Sequence, residues 1–130
     1  MIGALGRKIV FEVSDEKVLT FLNMTREISS RWAEHEALGV KPKPEFLGPG
    51  LQTGTLEIVL SATLGVKPRA VLEAVEEMVE RGTAEYLIIG SKPVGRRPFR
   101  LISSSETWGT MYSRGELAKA KLTITLGEYA

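Results

Sequence analysis

His35, the one histidine of the chain, stands between Glu34 and Glu36, where an imidazole could act as a base or a metal ligand beside carboxylates. A metal site needs three or four converging ligands, and the sequence offers no second histidine and no cysteine to complete one. His35 is therefore read as a surface or packing residue. The run Ser103-Ser104-Ser105 presents hydroxyls, but a serine nucleophile needs an oriented base, and no motif ties His35 to the run. Serines at a strand bend account for it. The glycines form neither a strand–GxGxxG–helix unit nor a GxxxxGK[ST] loop, so no nucleotide cradle is indicated. The residues thus imply no catalytic set, no cofactor and no metal, and the chain is not read as an enzyme. Arg96 and Arg97 suit a solvated loop tip, a charged contact with a neighbouring subunit or, less well, a contact with phosphate. Trp32 and Trp108 are read as core or core-edge residues, with an anchoring role at an interface as the alternative.

Composition narrows the field further. A chain of 130 residues fits a single domain spanning 1–130, large enough to bury about two-thirds of its unfolded surface. Seventeen basic and sixteen acidic side chains nearly cancel. A net charge of +1 makes no case for specific nucleic-acid contact, which needs a clustered basic face. The absence of cysteine excludes disulfides and thiolate metal sites. No window approaches the ~20 apolar residues that cross a bilayer, so neither a signal peptide nor a membrane contact is expected.

The elements follow from pattern. Ile9–Val13 is β-branched and aromatic and reads as a first strand, with a polar turn at 14–17. In 21–38, Met24, Ile28 and Trp32 recur at helical spacing, while Leu22, Met24, Arg26 and Ile28 alternate. Ser29-Ser30 suits a kink, which favours a bent strand over a helix. From Gly39 to Pro44 two X-Pro steps stiffen the chain. Pro49 between Gly48 and Gly50 then predicts a sharp reversal, with Phe46 and Leu47 held at its mouth. Together these make 40–54 a long loop, of the kind that is usually functional or interfacial. Leu56, Ile58, Leu60 and Ala62 alternate along a half-buried strand over 55–63. Pro68–Arg81 is a helix: Val71, Leu72, Val75, Met78 and Val79 form its apolar stripe, Glu73, Glu76, Glu77 and Glu80 its opposite face, and Gly82 its stop. A strand at 86–89, a basic loop at 92–98, a strand at 99–102 and 106–108 bent at the serines, and a turn region at 109–115 come next. The last strand carries Ala118, Ala120, Leu122, Ile124 and Leu126 on one side. This order implies an α+β chain, mostly β: an antiparallel sandwich or open barrel with one packed helix.

Phe46-Leu47-Gly48-Pro49-Gly50, the strand over 55–63, the helix Pro68–Arg81, Tyr86-Leu87-Ile88 and the closing Lys121-Leu122-Thr123-Ile124-Thr125-Leu126 stand in the order of a known family. From about residue 31 onward the chain resembles the phage tail protein U family of contractile-tailed phages and phage-like particles. Gly3-Ala4-Leu5-Gly6 and Ile9–Val13 fit a member's start. The resemblance implies a tail-tube-like fold in which 21–38 is a long bent strand ending near Trp32. It also implies a structural role in tail assembly, with self-association into a homo-hexameric ring at the hub-proximal end of the tube. Hub, tube or tape-measure proteins would be its other partners, in the virion tail or phage-like particle and, during assembly, in the bacterial cytoplasm. A terminator ring at the distal tube end fits the same pattern. The expected interface comprises Trp32, Pro44, Phe46, Leu47, Gly48, Pro49, Gly50, Arg96 and Arg97, with 40–54 crossing to an adjacent subunit or ring. From a different class, a small monomeric binding module would use the basic loop for an acidic partner.

Overall fold

Two stretches of apolar alternation, 56–60 and 120–126, meet at the centre of the fold. The computed structural model describes residues 3–6, 9–13, 18–19, 21–111, 115 and 117–129. The turn expected at 14–17 and part of the one expected at 109–115 lie outside the described residues. In chain order the strands are β1 (Gly3–Leu5), β2 (Ile9–Val13), β3 (Val18–Leu19), β4 (Phe21–Glu27), β5 (Ser30–His35), β6 (Lys43–Pro49) and β7 (Thr53–Ser61). A 3-10 turn at Ala62–Leu64 leads to helix α1 (Pro68–Arg81). The strands β8 (Ala84–Glu85), β9 (Leu87–Ile89), β10 (Lys92–Pro93), β11 (Phe99–Trp108) and β12 (Lys119–Glu128) follow.

The main sheet runs β4-β7-β12-β11-β8, the second β10-β9-β1-β2-β3, and β5 pairs with β6 alone. Every described pairing is antiparallel, and the main sheet curls into a half-barrel. Along β7 and β12 the register sets Leu60 opposite Ala120, Ile58 opposite Leu122 and Leu56 opposite Ile124. All of these side chains are buried on one face. The other face is rich in short hydroxyls: Thr25, Thr55, Thr125 and Ser103 form one row across four strands.

α1 lies on the apolar face along β11 and β12. Pro68 opens it and Gly82 (φ 65°) closes it, donating its N–H to the carbonyls of Met78 and Val79. Leu72, Val75 and Met78 join the core, with Val71 and Val79 packed at its margin. The Arg69 guanidinium sits 5.7 Å over the Trp108 ring at the far end of β11. β8, just after the helix, pairs with Phe99 and Arg100 at the start of β11. The helix therefore runs antiparallel to that strand. Leu5 and Leu87, from the second sheet, complete the core cluster. No described helix is long and apolar enough to cross a membrane.

Three local expectations need correction. The chain does not reverse at Gly48-Pro49-Gly50: 43–49 is strand, and the turn falls at 36–42, with Gly39 at φ 76°. The X-Pro steps that stiffen this segment suit an extended ribbon as well as a loop, and a two-stranded ribbon leaves each strand an open side where proline is tolerated. Most of 40–54 is accordingly not a loop. Nor does β11 break at Ser103-Ser104-Ser105; it is continuous, with a bulge between Leu101 and Ser103. The segment 21–38 resolves as strands β4 and β5 broken at Ile28 and Ser29, as the serine kink suggests.

Ile124→Ala is expected to lower stability by about 2–5 kcal/mol through lost burial and a residual cavity. Its neighbour Thr125→Ala, on the polar face, is expected to change it by less than about 0.5 kcal/mol. Equilibrium urea unfolding checks both.

Candidate subunit interface

β5 and β6 form a hairpin whose residues are largely exposed. Its register places Trp32 opposite Phe46 and Glu34 opposite Pro44, then Ala33 opposite Glu45 and His35 opposite Lys43. Residues directly opposite share a face, so Trp32, Pro44 and Phe46 lie on one side and His35, Lys43 and Glu45 on the other. The Trp32 and Phe46 rings meet edge to face, 5.2 Å between centroids, and Trp32 Nε1 donates to Ser30 Oγ at 2.6 Å. These contacts order the rings without covering them: Trp32 stays 55% and Phe46 56% exposed. A bulge between Arg31 and Trp32 accommodates Leu47, itself 52% exposed. At the tip Leu38 and Val40 project into solvent. Trp108 is also exposed, so neither tryptophan is the core residue that its size suggests.

The base of the hairpin is tightly built. Gly50 donates its N–H to Ser29 O at 2.9 Å, and Arg31 Nε donates to Pro49 O at 3.2 Å. A Cβ on Gly50 would come within 2.6 Å of Ser29 Oγ, and Gly48 has φ 131°, so both positions favour glycine. Beside this base lies a groove of about 490 Å³ whose wall includes Pro49, Gly50, Arg26, Arg96 and Arg97. Arg26 is held in place because its Nε and Nη2 both donate to Gln52 Oε1, at 3.1 and 2.7 Å. Arg96 and Arg97 are exposed, and neither is paired with an acid among the described residues.

The structure therefore gathers the expected interface residues into two adjoining places. Trp32, Pro44, Phe46 and Leu47 lie on the ribbon; Pro49, Gly50, Arg96 and Arg97 surround its base, with Gly48 between. Sequence reasoning missed Arg26 and Gln52, which only the fold brings together. His35 Nε2 contacts Glu45 at 2.5 Å rather than either flanking glutamate. Among the described residues no group of three or more His, Asp or Glu could hold a metal.

The main sheet has two open edges, one beside this surface and one across the sheet from it. β4 closes one side of the main sheet. On the other side β8 covers only Phe99 and Arg100, leaving 101–108 of β11 without a partner strand among the described residues. Such edges offer unpaired backbone donors and acceptors to another chain.

A family model described as Phage P2 GpU matches residues 7–130. The chain belongs to the phage tail protein U family. Membership gives it a structural role in a tail. No curated protein matches the sequence. Among solved structures, the tail of an empty GTA particle, computed with helical refinement and C6 symmetry, is 13% identical with a TM-score of 0.51. That match covers 86% of this chain and 79% of the other. The virion of a native gene transfer agent (GTA) particle is also 13% identical, at TM-score 0.48, covering 85% and 80%. At this identity the first likeness is one of fold. In this tail protein U family member, the half-barrel, the exposed ribbon and the two open edges all belong to the part that the family model spans.

Proposed function

We propose that this tail protein forms a homo-hexameric ring at the hub-proximal end of the tail tube, where the tube begins. The observation that carries the reading is the β5–β6 ribbon, whose Trp32–Phe46 face is ordered yet left exposed, with nothing to cover it among the described residues. An aromatic cluster of this kind makes an effective anchor once a partner excludes water from it. The open edges of β4 and β11 differ in sequence and flank, so joining one to the other is a heterologous contact, and such a contact closes into a ring when its rotation permits. The C6 symmetry of the GTA tail is a property of that particle; it supports six as the number of copies here. With the helices outward, the hydroxyl-rich sheet face would line the channel. The position at the tube's start, and the hub, tube or tape-measure proteins as neighbours, rest on the family resemblance.

Leu47→Asp is expected to leave a folded monomer, because Leu47 is half exposed, and to abolish the hexamer in size-exclusion chromatography with light scattering. Rings that survive the substitution would count against the ribbon as anchor. On intact particles, gold-labelled antibody is expected at the baseplate end of the tail; label at the head-proximal end would make the ring a terminator.

A further inference from the structure

Among the described residues, two arginines without an acid and two glutamates without a cation lie towards opposite sides of the main sheet. At the β4 side the segment leading into β11 crosses the end of the sheet and sets Arg96 and Arg97 in one groove with Arg26, so that three arginines there outnumber the one carboxylate, Glu128. At the β11 side the sheet is roofed by α1, which turns Glu73, Glu76 and Glu80 to solvent. Arg69 lies 3.5 Å from Glu73, and Arg81 lies 3.2 Å from Glu77. Glu76 and Glu80 have no cation among the described residues. They stand four positions apart, the spacing at which like charges on a helix repel. Their separation along the axis is about 6 Å, which two neighbouring guanidinium groups can match.

Both features lie at the same end of the sheet. The groove forms where β4 and β12 finish and β7 begins: Arg26 pairs with Gly54, and Glu128 N–H donates to Gln52 O. The C-terminal half of α1 leads through β8 to Phe99 and Arg100, which pair with Glu128 and Gly127. A copy that offers its β11 side to a neighbour's β4 side thus brings Glu76 and Glu80 level with the neighbour's groove.

We infer that Glu76 and Glu80 of one copy dock onto Arg96 and Arg97 of the next, a contact that rests on the ring proposed above and names its charged seam. Charge of this kind sets direction: one arginine groove meeting another repels, as does acid facing acid, so head-to-tail joining is favoured over a two-fold pair.

The test compares the wild-type chain with Arg96→Glu/Arg97→Glu, with Glu76→Arg/Glu80→Arg, and with all four changes in one chain. Circular dichroism verifies folding, and light scattering across a concentration series gives the midpoint of assembly. Each double reversal is expected to raise that midpoint roughly tenfold or more, and the four-fold swap to restore it. Rings indifferent to the reversals would overturn the contact while leaving the ring intact. Rescue of Arg96→Glu/Arg97→Glu by Glu34→Arg/Glu36→Arg, and not by the helix pair, would give the groove to the neighbour's ribbon and overturn it too. Normal rings with failed tail assembly would assign the groove to an unlike tail protein, against the inference. A wild-type chain that stays monomeric would bring down the ring itself, and this seam with it.

Discussion

Leu60 lies opposite Ala120, Ile58 opposite Leu122 and Leu56 opposite Ile124, in a register unbroken from Lys119 to Gly127, and the apolar face on which α1 packs depends on that pairing. A slip of β12 by one residue against β7 would turn Ala120, Leu122 and Ile124 out to solvent and bring Thr123 and Thr125 inward. With the register held, one face is apolar along its length and α1 has a single place to lie. Each large side chain on that face contributes roughly 1.5–3 kcal/mol of burial before conformational entropy is counted. β4 and β11 are then the sides of the sheet, and the ribbon leaves it next to β4.

The ribbon's own stabilisation is of a different order. Its chief side-chain contact is the Trp32–Phe46 pair, worth about 0.5–1.5 kcal/mol. A two-stranded hairpin without a covered face is marginal in water. The tied base at Gly50, Ser29, Arg31 and Pro49 fixes where it leaves the body, while its aromatic face stays open to solvent. In the proposed ring the arm would gain its stability on joining a neighbour, while the half-barrel is stable beforehand.

Much of this was legible in the sequence where structure is set locally. Pro68, the apolar stripe and Gly82 mark α1 to the residue, and the alternation of 118–126 marks the final strand. The family was legible too, from the block at 46–50 and the order of elements behind it. What was not legible depends on partners far away in the chain. Proline and glycine made 40–54 read as a long loop with a reversal at 48–50, because nothing local announces that 43–49 will pair with 30–35. Ser103-Ser104-Ser105 reads as a bend, yet pairing with β12 keeps it straight and moves the irregularity to Ile102. The size of Trp32 and Trp108 predicts burial, but whether a large apolar residue is covered is decided by what folds over it. Arg96 and Arg97 were visible as a basic pair; the groove was not, because Arg26 and Gln52 reach it from other strands.

Hydrogen exchange read by mass spectrometry, on the dilute protein and on assembled rings, tests most directly whether sister copies complete this fold. Fast exchange is expected throughout 30–49 and along 101–108 in dilute protein beside slow exchange in β7 and β12, with both segments becoming protected on assembly. A ribbon already protected in the lone chain, or one that still exchanges freely in the ring, would contradict this.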